Sequence, residues 1–155
     1  MSANAASLDV YADDLTVGER YELGHHAVTE EEIVSFASMW DPQPFHIDSE
    51  AAEGHGFGGL IASGLHTLAI YQRLTVLRVD GRWKAIAGRK IQEAVFVRPV
   101  RPNDVLTGSM VIAEVSLDDR GRGRVTSTAE LVNGAGEVVL TVIAVVFLHR
   151  RLPAV

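Results

Sequence analysis

Apolar residues in the first half of the chain recur at helical spacing in two stretches. In "TEEEIVSFASMW", residues 29–40, Ile33, Phe36, Ala37 and Trp40 fall on one face, Thr29 stands at the N-cap and Glu32 occupies the capping-box position. Asp41-Pro42 ends this helix, because the residue before a proline avoids the helical region. The second stretch, "IASGLHTLAIYQRLTVLRV" from Ile61 to Val79, has apolar residues at 61, 65, 68, 69, 70, 71, 74 and 77. Only a narrow polar face remains, which predicts a long, mostly buried helix. A short extended segment, Tyr21 to Val28, precedes both helices. Between them "SEAAEG" reads as a short helix with Asp48 as its N-cap.

The pattern then changes period. "KIQEAVFV", "DVLTGSMVIAEV", "RVTSTAELV" and "EVVLTVIAVVFLHR" are rich in β-branched residues. Val125, Ser127, Ala129 and Leu131 alternate with Arg124, Thr126, Thr128 and Glu130, the two-residue period of a strand with one buried face. "DDRGRG" and "NGAG" supply turn residues between the last three strands, which predicts an antiparallel meander. Helices first and consecutive strands afterwards define an α+β fold, with one long helix packed on an antiparallel sheet.

With 155 residues and no repeat or low-complexity linker, a single domain over 1–155 is expected, its first ~15 residues flexible. The formal charge of −6 argues against a general nucleic-acid or membrane-surface binder, which needs a basic face. Cysteine is absent, removing disulfides, thiolate nucleophiles and sulfur-ligated zinc, and the first twenty residues lack the basic and apolar regions of a secretory signal. The longest apolar run, Val138 to Leu148, falls short of the ~20 residues that cross a bilayer. These features lead to a cytoplasmic expectation.

Candidate chemistry gathers in "DPQPFHID", residues 41–48. Fully extended at ~3.1 Å per residue, Asp41 and His46 would stand about 15 Å apart. Prolines 42 and 44 can hold a bend that lets both reach one water, with little entropy left to lose. A carboxylate and an imidazole on one water form an acid/base pair that needs no metal. The plainer reading makes Asp41 a helix terminator and His46 a half-buried core histidine, and Asp48 is better explained as a cap. Further on, "FGGLIASGLHTLA" opens the long helix with glycines. The backbone N–H of Gly64 near its start is placed to meet developing negative charge, while Ser63 reads as a helix cap and not a nucleophile. Close packing alone accounts for those glycines equally well. His25, His26, His46, Asp48, His55 and His66 include no pair at the H-x3-H helical spacing of a metal hydrolase, so no metal and no other cofactor are expected.

"DPQPFHID", "FGGLIASGLHTL" and "FVRPVRPNDVLTG", in that order over Val28 to Gly108, resemble the MaoC-like dehydratases, or (R)-specific enoyl-CoA hydratases, of the hot-dog fold. The resemblance implies that Asp41 and His46 match the catalytic Asp and His of the family's D-x-N-P-x-H-x-D motif, and that Gly64 matches its oxyanion-hole glycine. Arg98, Pro99, Pro102 and Asp104 match a later element that starts a strand, with Arg98 or Arg101 as a candidate for contact with acyl-CoA phosphates. Two positions depart from the pattern. Gln43 stands where Asn is usual and bears on the hydrogen bonds of the loop. Trp40 stands where Gly is common before the Asp and bears on the acyl pocket. The implied activity is reversible addition of water to a trans-2-enoyl-CoA, by a homodimer or larger homo-oligomer with sites near the interface. Asp41 would withdraw a proton from the water, His46 would orient it and help deliver the α-proton, and the Gly64 N–H would hold the thioester oxygen. The alternatives on the same fold are an acyl-CoA thioesterase and a non-catalytic acyl-thioester-binding subunit.

Overall fold

The structure, a computed structural model, describes residues 9–79 and 81–152. Residues 1–8 of the expected flexible N-terminus lie outside the described residues. Strand β1 (Arg20–Ala27) leads into helix α1 (Glu30–Trp40), the one-turn helix α2 (Pro44–Ile47), the short α3 (Ser49–Gly54) and the long α4 (Gly64–Val79). Strands β2 (Ala85–Phe96), β3 (Val105–Leu117), β4 (Arg122–Val132) and β5 (Val138–His149) follow. They form one antiparallel sheet in the order β1-β3-β4-β5-β2, so the expected meander is its centre and the earlier strands flank it.

The alternation in β4 orients the sheet. Val125, Ser127, Ala129 and Leu131 are buried, whereas Arg124 and Thr128 face solvent and Thr126 and Glu130 are half-buried. On the buried face Ile70, Tyr71 and Leu74 of α4 pack into one cluster with Leu23, Leu106, Met110, Leu131, Leu140 and Val142. Beyond the C-terminal end of α4 the same face is covered by a 3-10 turn at Ala12–Asp14, whose Ala12 packs with Leu15, Ile112, Val125 and Leu148. This N-terminal segment is held by Asp13, which accepts from the Arg150 side chain at 3.1 Å and the Arg151 backbone N–H at 2.9 Å.

Three local expectations change. The helix predicted from Ile61 begins at Gly64, because the Ile61 and Ala62 N–H groups are bonded to Phe45 O and Val100 O in loop conformations. Helix α4 is also less buried than its narrow polar face implies: Leu65, Val76 and Leu77 are exposed, since the sheet covers only one side of it. Trp40, expected on the apolar face of α1, is 66% exposed, because the buried stripe of that helix ends at Ala37.

Strand β2 lies at the sheet edge, is bonded only to β5, and is exposed along almost all of its length. At the other end of the core, a Cβ on Gly123 would stand 2.1 Å from the Cβ of Ala12. Gly123→Ala therefore overpacks the seam between the N-terminal segment and the sheet. A loss of about 1–3 kcal/mol is expected in chemical denaturation.

Candidate functional site

Asp41 and His46 meet because the chain between them coils. The Asp41 N–H still bonds to Ala37 O, so Asp41 is the last residue tied to α1. Pro42 interrupts the helix, and Pro44 then occupies the first position of α2, where its missing N–H costs nothing and its fixed φ favours a new helical turn. That turn brings His46 back towards Asp41: Nε2 lies 3.4 Å from Asp41 Oδ2. The bend inferred from the two prolines is thus a break followed by one helical turn. Gln43 caps that turn through its backbone only, and its side chain is exposed.

His46 is buried and its Nδ1 lies 2.7 Å from the carbonyl oxygen of Ile61. A carbonyl only accepts, so Nδ1 carries the proton, and in the neutral ring Nε2 presents a lone pair towards Asp41. Asp41 Oδ2 in turn accepts from Ser63 Oγ at 2.6 Å. With the ring neutral, the Asp41 oxygen and the Nε2 lone pair are two acceptors 3.4 Å apart, so that one donor beside them can bond to both. A water molecule does so by donating one hydrogen to each, which leaves its oxygen lone pairs free.

Ser63 performs the capping role read from the sequence as well. Its Oγ accepts from the Leu65 N–H at 3.2 Å at the start of α4, while its O–H goes to Asp41. Gly64 follows as the first residue of α4, and its N–H is among the donors that a helix start leaves without an intrahelical partner. The Phe96 ring lies so close that a Cβ on Gly64 would approach it to 2.9 Å. His46, Gly64, Thr67, Phe57 and Phe96 line a cavity of about 260 Å³ whose wall is otherwise apolar apart from Arg98. Phe96 comes from the end of β2, and nothing in its local sequence marks it for this position. The Ser63–Asp41 bond and the Ile61 carbonyl were equally unannounced.

The remaining candidates serve the frame. Asp48 caps α3 by accepting from the Glu50 and Ala51 N–H groups, as expected. Arg98 sits at the cavity edge but is occupied by Val138 O at 2.9 Å and Glu137 at 3.3 Å. Arg101 donates to Phe57 O, and its own N–H bonds the Asp104 carboxylate at 2.9 Å, closing the turn before β3. Among the described residues no three His, Asp or Glu side chains converge in a metal-binding arrangement.

The chain belongs to the MaoC like domain family, whose model matches residues 14–134. It is 36% identical over 106 residues to the 3-hydroxyacyl-thioester dehydratase Z of Mycobacterium tuberculosis, covering 65% of this chain and 67% of that protein. The Bacillus subtilis protein YdeM is 36% identical over 94 residues, covering 61% of this chain and 67% of YdeM. Among solved structures, the MaoC-like dehydratase from Rhodospirillum rubrum superposes with a TM-score of 0.85 at 37% identity, covering 92% of this chain and 99% of that one. An (R)-hydratase from Pseudomonas aeruginosa shares the fold, with a TM-score of 0.69 at 22% identity over 95% of this chain and 96% of that one. The α+β architecture is the hot-dog fold, with α4 as the central helix and the antiparallel sheet around it.

Ser63 joins α1 to α4 and caps α4 at once. Ser63→Ala is expected to lower unfolding stability by about 0.5–2 kcal/mol from the cap alone. A crystal structure of the variant should show Asp41 without its α4 partner.

Proposed function

We propose that the protein is an (R)-specific enoyl-CoA hydratase, adding water reversibly to a trans-2-enoyl-CoA to form a 3-hydroxyacyl-CoA. The observation that carries this reading is the facing pair of acceptors, Asp41 Oδ2 and His46 Nε2, 3.4 Å apart, with the other imidazole nitrogen committed to Ile61 O. A water held between them adds its oxygen to the β-carbon as Asp41 takes one of its protons. The double-bond electron pair moves through the α-carbon onto the thioester oxygen, where the Gly64 N–H and the start of α4 oppose the negative charge. The proton taken by Asp41 is relayed through His46 Nε2 to the α-carbon as the enolate collapses. Addition of water is redox-neutral overall, so no electron carrier enters the scheme. The name carried by the M. tuberculosis relative, a 3-hydroxyacyl-thioester dehydratase, describes the reverse of the same reaction.

Room for an acyl chain lies along α4. Leu65, Leu68, Ala69 and Ile91 line a shallow apolar groove that leads by Tyr71 and Gln72 to a second cavity of about 470 Å³ under the C-terminal half of the helix. That cavity is mostly apolar, with Tyr71, Thr75 and Ser127 adding hydroxyl groups.

Replacing either acid/base group should cost about 10²–10⁴ in rate. Asp41→Asn and His46→Ala proteins assayed spectrophotometrically on crotonyl-CoA and longer enoyl-CoAs should show that loss. Parent-like rates in both would remove the assignment. Release of free CoA from a saturated acyl-CoA would favour a thioesterase instead.

The exposed edge strand also fits a homodimer. Ile86, Ile91, Val95 and Phe96 of β2 and Leu65, Val76 and Leu77 of α4 present apolar surface around unpaired backbone groups, and a second copy would cover both. Ile91→Lys places a charge in that surface. It should shift the mass measured by light scattering from dimer towards monomer.

A further inference from the structure

One buried titratable cluster lies outside the Asp41–His46 pair. His66, two residues into α4, is only 6% exposed, and its Nδ1 is buried without a hydrogen-bond partner. The ring stacks on Phe36 of α1, with centroids 4.8 Å apart and planes 12° from parallel. Its Nε2 lies 3.7 Å from Glu32 Oε1, one turn back along α1. The capping box expected at the start of α1 is therefore half realised: Thr29 accepts from the Glu32 N–H at 3.1 Å, but the Glu32 carboxylate turns instead to His26 Nε2 of β1 at 2.8 Å and to His66.

These contacts form rungs along α1. Glu32 and Phe36 lie one turn apart on α1 and both meet His66 in the first turn of α4, and Asp41, just past the end of α1, meets Ser63 just before it. The Ser63–Asp41 bond is the last rung, and by itself a single hydrogen bond contributes only about 0.5–1.5 kcal/mol. A buried stacked ring beside it defines the spacing and rotation of the two helices far more firmly. We propose that His66 is a positioning residue for Asp41, its uncharged ring clasping α1 to α4 through Phe36 and Glu32 and so keeping the Asp41 carboxylate on Ser63 and beside His46. The catalytic meaning of that carboxylate rests on the hydratase reading; the clasp does not.

The clasp has an electrostatic condition. Burial holds the His66 imidazole below its ordinary value of 6.5; Glu32 opposes this and His26 reinforces it. These are the titratable groups that act on the ring from α1 and β1. Protonation adds an N–H at a buried Nδ1 that has no acceptor, so the charged ring fits the site poorly. Because the unfolded chain binds this proton more readily than the folded one, the contribution of His66 to stability is complete above about pH 6.5 and declines as pH falls below it.

Crystal structures of His66→Ala and His66→Gln proteins at neutral pH test the proposal directly. Removing the ring in the alanine variant is expected to lengthen the 2.6 Å Ser63–Asp41 contact beyond about 3.5 Å, whereas glutamine, which fills part of the space and offers an N–H towards Glu32, should keep it. If the alanine variant does not fold, Phe36→Leu, which removes the stack and keeps bulk, should lengthen the contact in its place. On crotonyl-CoA the alanine variant should lose roughly 10²-fold in kcat with a smaller change in KM, and glutamine should restore most of it. Between pH 7.5 and 5 the glutamine protein should lose less thermal stability than the parent. A Ser63–Asp41 contact unchanged in both His66→Ala and Phe36→Leu would overturn the clasp. A parent protein without turnover would instead count against the hydratase reading, while the contact distances would still decide the positioning role.

Discussion

The bond from Ser63 to Asp41 joins the end of one helix to the beginning of another, and the candidate chemistry depends on that junction. Ser63 uses both capacities of its hydroxyl: it accepts from Leu65 and so helps start α4, and it donates to Asp41 where α1 has just ended. One small side chain thereby sets the carboxylate relative to the helix whose first residue, Gly64, lines the cavity. If α1 slid by a fraction of an ångström, the Asp41 carboxylate would lose its place beside both His46 and the start of α4.

The supporting interactions are mainly backbone groups and ring contacts. The Ile61 carbonyl selects the His46 tautomer, which decides that a lone pair faces Asp41. Phe96 presses on Gly64 from a strand more than thirty residues away in sequence, so glycine is required there for space as well as for access to the N–H. Phe36 and His66 hold the neighbouring turns of the two helices face to face. Each of these leaves a polar atom or a ring edge in a defined place without adding a charge to the cavity wall. A low-polarity surround strengthens whatever electrostatic interactions operate inside it.

The coverage of the sheet is uneven, and this bears on function. Helix α4 and the N-terminal segment cover one face of β1, β3, β4 and β5, whereas β2 and the outer face of α4 remain open. The groove along α4 that leads by Tyr71 and Gln72 to the larger cavity runs through that open region. A partner that covered the edge would complete the walls of this path, tying assembly to the shape of the groove.

Much of this was legible beforehand for a physical reason: local constraints act between residues close in sequence. The Thr29 and Asp48 caps, the Asp41-Pro42 stop, the alternation in β4 and the turns of the meander are short-range effects, and each is found where the pattern placed it. The two prolines showed that the Asp41–His46 segment bends, although not that it does so by a helical turn. Exposure of Trp40, the late start of α4, the edge position of β2 and the partners Ser63, Ile61, Phe96 and Phe36 depend on which surfaces the folded chain brings together. The sequence by itself determined the elements, their order and the residue types able to move a proton. Only tertiary packing decided what Ser63, Ile61, Phe96 and Phe36 touch, because their contacts span 15 to 32 residues and are set by how two helices, a loop and a strand end meet.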